Sequence, residues 1–283
     1  IKRKHMTVIT KHPWATKKRN EDFFKRKDKE LTNLDWAKWA GWFDTDGCFT
    51  TYYNKKQKRY QRTAEIRLKD RQPVELFSDT FETSLRYREF NTVTPEGGKY
   101  IAKMFGCCLC GPKAKWFTEN VSPYLIKEEK REFAGLLIED TVSSKSFNTW
   151  TKDELTHYLA TVIEGDGGIQ IMSKPTSISK SLKIAISSSD PQYLANLISI
   201  SASQLNIKAT YKKTATYKNL KGVRHRYRLY ILCSMRNPHN MDFIRSLLKP
   251  GVMTLDRKKE VVQEFIDFVD SKKNKKSDME NRV

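Results

Sequence analysis

The stretch Trp39-Ala40-Gly41-Trp42-Phe43-Asp44-Thr45-Asp46-Gly47 returns, changed in letters but not in kind, as Leu159-Ala160-Thr161-Val162-Ile163-Glu164-Gly165-Asp166-Gly167. Each copy is an apolar run, an acid, one short residue, then Asp-Gly. The copies lie 166 − 46 = 120 positions apart, and the offset runs on without a gap: residues 64–66 align with 184–186, and Asp70 with Asp190. Such self-similarity predicts two half-chains built on one plan.

Working outward, each Asp-Gly is followed by a strand-like run, residues 48–53 and 169–172. A second strand then alternates apolar with polar side chains. In the first half Ala64, Ile66 and Leu68 alternate with Thr63, Glu65 and Arg67; in the second Leu182, Ile184 and Ile186 alternate with Lys183, Ala185 and Ser187. A period of two predicts one buried and one exposed sheet face. Helical runs over 73–85 and 191–205, a further pair of strands, and closing helices over 127–139 and 256–269 complete the pattern. Each half reads as αββαββα, giving an α+β pseudo-twofold tandem repeat with antiparallel sheets. The expected divisions are a basic N-terminal extension (1–30), a first repeat (31–142), a linker (143–150), a second repeat (151–270) and a charged tail (271–283). The two charged ends are expected to lack fixed structure.

Fifty-three Lys and Arg against 33 Asp and Glu leave a net charge of +20 on a chain that is still 38% hydrophobic. A folded protein with that surface attracts polyanions, nucleic acid first among them. No apolar run approaches the ~18 residues a membrane span needs, so no membrane partner is expected, and no secretory signal is visible. Ile1 at the start in place of Met suggests a trimmed chain or a processed reading-frame fusion, from which a transit peptide would already be missing. Five cysteines, Cys48, Cys107, Cys108, Cys110 and Cys233, make an odd number with no disulfide framework, which fits an intracellular, reducing compartment. Cys107 and Cys110 form one CxxC but lack further zinc ligands nearby, and all five thiols are expected to be buried or half-buried.

The repeated motif has its own physical content. Small residues at Ala37, Ala40, Gly41 and Ala160 allow two helices to approach closely, while Trp36, Trp39 and Phe43, or Leu155, Tyr158 and Val162, cover the flanking cores. Asp-Gly ends each helix, with Gly47 and Gly167 expected to take positive φ and turn the chain into the first strand. Asp46 and Asp166 then come together. A carboxylate at a helix C-terminus is opposed by the macrodipole, and two near one axis repel; a divalent cation relieves both penalties.

The paired motifs, their separation and the repeated order of elements resemble the monomeric, two-repeat LAGLIDADG homing endonucleases over residues 31–270. The chain departs from that family's pattern at the bulky Trp39, Trp42 and Phe43, and at Thr161 where glycine is usual. The resemblance implies an intron-encoded endonuclease, acting as a monomer, that hydrolyses both strands of a long, specific DNA site. It makes Asp46 and Asp166 the catalytic metal ligands with Gly47 and Gly167 beside them, and Mg²⁺ the cofactor, replaceable by Mn²⁺ or Ca²⁺. Asp44 and Glu164 would brace the helix ends. Lys127 would be the basic catalytic residue, with Lys258 at a similar helix start. Asp70 and Asp190 would either support the site or simply begin turns.

DNA recognition is expected on the outward strand positions: Thr50, Tyr52, Asn54, Lys56, Gln61, Thr63, Glu65 and Arg67 in the first half. The second half offers Gln170, Met172, Lys174, Ser181, Lys183 and Ser187, then Arg224, Arg226, Arg228 and Tyr230. Such side chains on a curved sheet can read base edges in the major groove. HNH, GIY-YIG and PD-(D/E)xK nuclease patterns are missing, and so is a P-loop, so ATP is not implied. Two alternatives stay open: an intron maturase that binds RNA, and a DNA-binding protein without catalysis. A mitochondrion or chloroplast is compatible with the resemblance.

Overall fold

The computed structural model describes residues 13–55, 58–93, 99–142, 145, 149–173, 179–219, 222–235 and 238–280. Lys56, Lys174 and most of the expected linker lie outside them, as does the side chain of Arg224. Residues 1–32 and 33–283 form two compact units. The first contains helix α1 (Pro13–Glu30). Its charged residues were expected to be unstructured. They are instead spaced for i,i+4 pairing, Lys17 with Glu21 at 4.0 Å and Arg26 with Glu30 at 3.8 Å, which favours helix.

The second unit holds both repeats. The first half runs α2 (Asn33–Thr45), β1 (Gly47–Asn54), β2 (Arg59–Leu68), α3 (Arg71–Phe81), β3 (Arg86–Val93), β4 (Lys99–Cys110), α4 (Pro112–Val121) and α5 (Glu128–Ile138). The second runs α6 (Lys152–Gly165), β5 (Gly167–Ser173), β6 (Lys180–Ser188), α7 (Pro191–Leu205), β7 (Ala209–Asn219), β8 (Gly222–Ser234), α8 (Met241–Ser246) and α9 (Asp256–Glu280). Each half thus inserts one short helix, α4 or α8, into the expected order. Gly111 at φ 60 followed by Pro112 at the first helical turn starts α4. Helix α3 stops short of residue 85 because Glu82 adopts a left-handed cap, φ 48. Helix α9 continues to Glu280, through the tail expected to be unstructured.

Both sheets are antiparallel and share one topology, β1-β2-β4-β3 and β5-β6-β8-β7. Ala64, Ile66, Leu182, Ile184 and Ile186 are fully buried, and their alternating neighbours face outward. The cores differ in kind. Trp36, Trp39 and Phe43 of α2 meet Phe77, Phe81, Trp116 and Phe117 in a cluster of aromatic rings, whereas in the second half α6 contributes Leu155, Leu159 and Ile163 to a core that mixes Leu194 and Leu197 with Tyr193 and Phe265. The bulky residues of the first motif are therefore received by an aromatic cluster.

Helices α2 and α6 pack along their motifs. A Cβ on Gly41 would fall 2.0 Å from Thr161 Oγ1 and 2.6 Å from the Tyr158 carbonyl oxygen. Thr161, in place of the usual glycine, donates its hydroxyl to the Lys38 carbonyl at 3.0 Å, so its bulk is received by the gap at Gly41. Neither Gly47 nor Gly167 takes positive φ, contrary to expectation. They are needed for space. A Cβ at Gly47 would lie 2.4 Å from the Phe43 ring, and one at Gly167 would lie 2.5 Å from the Ile163 carbonyl oxygen.

Candidate functional site

Asp46 and Asp166 continue the helices by one hydrogen bond each, Asp46 N–H to the Trp42 carbonyl at 2.9 Å and Asp166 N–H to the Val162 carbonyl at 3.0 Å. Both carboxylates therefore stand at negative helix ends. Asp46 Oδ2 is buried without a hydrogen-bond partner. It lies against the other helix: a Cβ on Gly165 would come within 2.6 Å of it. Burial first, and the Asp166 charge second, push the Asp46 carboxyl up to about 6. Asp166 is situated differently. Its Oδ2 accepts from Lys127 Nζ at 3.4 Å, and that ammonium also lies 4.7 Å from the centre of the Tyr193 ring.

The preceding acids hold these helix ends in place. Asp44, fully buried, accepts the Ile126 N–H at 2.7 Å, the Lys127 N–H at 3.3 Å and the Tyr158 hydroxyl at 2.5 Å. Burial still pushes its carboxyl up to about 6, against the lowering effect of those donors. Glu164 accepts the Thr254 and Leu255 N–H groups, both at 2.5 Å. Each acid ties a motif helix to the chain entering its closing helix, and since 254 − 126 = 128 the repeat offset has grown from 120 by this point.

That larger offset reassigns the lysines. Lys258 matches Lys130, and Lys127 matches Leu255. Lys258 Nζ donates to the carbonyls of Ile163 at 2.7 Å, Glu164 at 2.6 Å and Gly167 at 2.7 Å, while Lys130 Nζ donates to the Gly47 carbonyl. Cations here complement the negative helix ends. Burial above all lowers both ammoniums, Lys258 to about 8. The carbonyls of Gly47 and Gly167, expected beside the metal, thus have lysine partners. Sequence reasoning passed over Lys130. Its signal was present as Glu128-Glu129-Lys130 against Asp256-Arg257-Lys258, an acid-x-Lys at each helix start, but it is visible only at the offset of 128.

Asp190 caps α7 through the Gln192 and Tyr193 N–H groups, at 2.9 and 3.1 Å. Asp70 receives both ends of the Arg257 fork, at 3.2 and 2.7 Å, which holds its carboxyl below the ordinary value. Both acids have structural partners at their helix starts. Among the described residues no cluster of three or more His, Cys, Asp or Glu could hold a metal. Two carboxylates, one with a buried oxygen lacking a partner, fit a hard cation that takes its remaining ligands from water and phosphate, and do not fit a closed zinc site.

The outward faces of the two sheets carry the residues expected to read DNA. Thr50, Tyr52 and Arg67 are exposed, and Asn54, Gln61, Thr63 and Glu65 are half-buried. Arg67 pairs with Glu65 at 2.6 Å, and Tyr52 donates to Gln61. In the second half Gln170, Arg226 and Arg228 are exposed, and Met172, Ser181, Lys183, Ser187 and Tyr230 half-buried. Arg228 donates to Ser187 at 3.2 Å, and Lys183 lies over the Tyr230 ring at 4.7 Å. Sequence reasoning gave no residues for β3 or β7. The structure adds Arg86 and Arg88, opposite Gly106 and Met104, and Lys212, opposite Arg228, to the same faces.

No protein-family model and no curated protein matches the chain. Among solved structures it is similar to the LAGLIDADG meganuclease I-AabMI bound to uncleaved DNA, at 14% identity over 87% of this chain and 93% of that one, TM-score 0.50. It is also similar to the homing endonuclease I-WcaI bound to its DNA recognition sequence, at 14% identity over 90% and 96%, TM-score 0.49. A third is the LAGLIDADG homing endonuclease I-GzeII in complex with its DNA target, at 13% identity over 88% and 92%, TM-score 0.48. The likeness to I-AabMI is one of fold: this chain has the two-repeat LAGLIDADG architecture.

Proposed function

We propose that this chain is a site-specific endonuclease that cuts both strands of a DNA duplex with a divalent cation, Mg²⁺ in the first instance, held at Asp46 and Asp166. One observation carries the reading: the buried Asp46 Oδ2, unpartnered and close to a second carboxylate, is costly unless a cation compensates it. The fold neighbour I-AabMI, a meganuclease seen bound to uncleaved DNA, supports DNA as the ligand. Both carboxylates come from one chain, so the pair requires no partner subunit.

A bound Mg²⁺ would neutralise charge on the scissile phosphate and acidify a water. The protein's own share is positional. Asp44 and Glu164 fix the helix ends against the closing helices, and Lys130 and Lys258 hold the carbonyls that follow. Lys127 neutralises Asp166 and stands where an incoming phosphate gains a cation. The outward faces of the two sheets supply Arg, Lys, Gln and Thr to base edges and phosphates.

The test is selection of cut sequences from a randomised duplex library with purified protein and Mg²⁺. The expected result is one family of related sites cut on both strands, lost in Asp46→Asn and Asp166→Asn although each variant still binds the selected duplex. Cutting at the parental rate by either variant removes that residue from the site. Tight RNA binding without any DNA cutting would favour the maturase reading instead.

A further inference from the structure

Strand β4 ends on Gly106-Cys107-Cys108-Leu109-Cys110. Alternation sends Cys107 and Leu109 into the core, 0% and 2% exposed, and leaves Cys108 half-buried and Cys110 exposed on the outward face. The close pair is therefore not the CxxC of Cys107 and Cys110. It is Cys108 and Cys110, whose sulfurs lie 3.6 Å apart. Across the ladder Glu65 faces Cys108, and Thr63 faces Cys110, so both thiols lie among the residues assigned to DNA reading.

Residues two apart on a strand have Cα atoms about 6.6–6.8 Å apart, at the upper limit of the roughly 4.4–6.8 Å that a disulfide spans. In mid-strand that spacing would oppose a bond. Here the Thr63–Cys110 rung is the last with β2, and the following Gly111 takes φ +60 and turns the chain out of the strand. Two backbone bonds hold the turn, Gly111 N–H to the Arg62 carbonyl at 2.9 Å and Lys115 N–H to the Gly111 carbonyl at 3.1 Å. At the last rung, drawing Cys110 inward by the few tenths of an ångström required disturbs only the end of the ladder.

We propose that Cys108 and Cys110 form an oxidisable dithiol that closes to a disulfide under peroxide and, once closed, weakens DNA docking on this face; the second clause rests on the DNA-binding reading above. The exposed Cys110 thiolate attacks peroxide, the O–O bond breaks, and sulfenic acid and hydroxide result. Cys108 then gives up its proton and attacks that sulfur; the S–S bond forms, the S–O bond breaks and water leaves. In sum two thiols and one peroxide give one disulfide and two waters. Burial first, and Cys110 beside it, push the Cys108 thiol up to about 12, so Cys108 stays protonated in the reduced chain and the first attack falls to the exposed Cys110. The contribution from Cys110 lapses once that sulfur is oxidised. A bond closed at the limit of its span is strained and easily reduced, so the change is reversible.

The experiment treats the full chain with hydrogen peroxide, removes the excess, alkylates free thiols and maps them, and titrates the same sample with a mixed-sequence DNA duplex. The expected result is loss of two alkylatable thiols, mapped to Cys108 and Cys110, together with roughly tenfold weaker DNA binding. Dithiothreitol should reverse both, and Cys110→Ser should keep its affinity under peroxide. A disulfide mapped to other cysteines, a closed bond with unchanged affinity, or equal loss of binding in Cys110→Ser each overturns the proposal. A reduced chain that binds no DNA while the disulfide still forms would overturn the DNA reading and the docking clause with it, leaving the dithiol itself standing.

Discussion

Asp46 and Asp166 occupy matching places in the repeat and have different surroundings: Lys127 lies directly beside Asp166, and its counterpart in the second half is the apolar Leu255. Asp166 has an ammonium at 3.4 Å. Asp46 has a buried oxygen with no partner, and its carboxyl sits at about 6 against an ordinary 3.8. Between those two values the folded chain binds more protons than the unfolded one. This contribution to stability is thus fully present below about 3.8 and is lost as pH rises through about 6. At neutral pH the charged carboxylate is a cost. In a metal chelator, Asp46→Asn should therefore melt higher than the parent at pH 7.5, by roughly 1–3 kcal/mol before discounting for partial exposure. The gap should shrink toward pH 4, where both side chains are neutral. Adding Mg²⁺ should raise the parent's melting temperature and not the variant's. A variant less stable than the parent at pH 7.5 without metal would mean that the carboxylate has a partner there.

At the level of elements, the contact between α2 and α6 sets how closely the two acids approach. Gly41 is the point of tightest fit, and the atoms its Cβ would meet include a backbone carbonyl that cannot move aside. Gly41→Ala should destabilise the chain by about 1–3 kcal/mol in urea melts. Removing the Thr161 side chain takes away the nearer of the two clashes, so Thr161→Gly should recover part of the loss in the double variant. Strict additivity of the two substitutions would show that the helices do not meet at this pair. The same geometry explains why Gly47 and Gly167 are glycines: the turn from helix to strand passes over Phe43 and Ile163 with no room for a Cβ.

For the whole molecule, the net charge of +20 and the outward arginines and lysines of both sheets place most of the expected binding energy in phosphate contacts. Affinity for a duplex should fall steeply with salt, with a log-log slope near −0.9 for each phosphate neutralised. Fluorescence anisotropy across a potassium chloride series measures it, and a flat slope would sink the idea of a phosphate-binding face. Some of this charge is already committed inside the protein. Arg67 is bound to Glu65 and Arg257 to Asp70, so the slope should be well below what a count of basic residues suggests.

The repeat, the alternating strands and the two Asp-Gly motifs were legible in the sequence because periodicity and self-similarity are local, written in neighbouring residues. The doubling of the fold and the candidacy of Asp46 and Asp166 follow from those alone. What the tertiary structure decided lies where the two halves drift out of register. Residues gained in the second half after its first pair of strands move the offset from 120 to 128. Only the folded contacts of Asp44 with Ile126 and of Glu164 with Thr254 reveal which lysines correspond. The different settings of the two acids and the gap at Gly41 that receives Thr161 were likewise beyond the sequence. Each depends on a distance between side chains, and a sequence does not encode distances until the chain has packed.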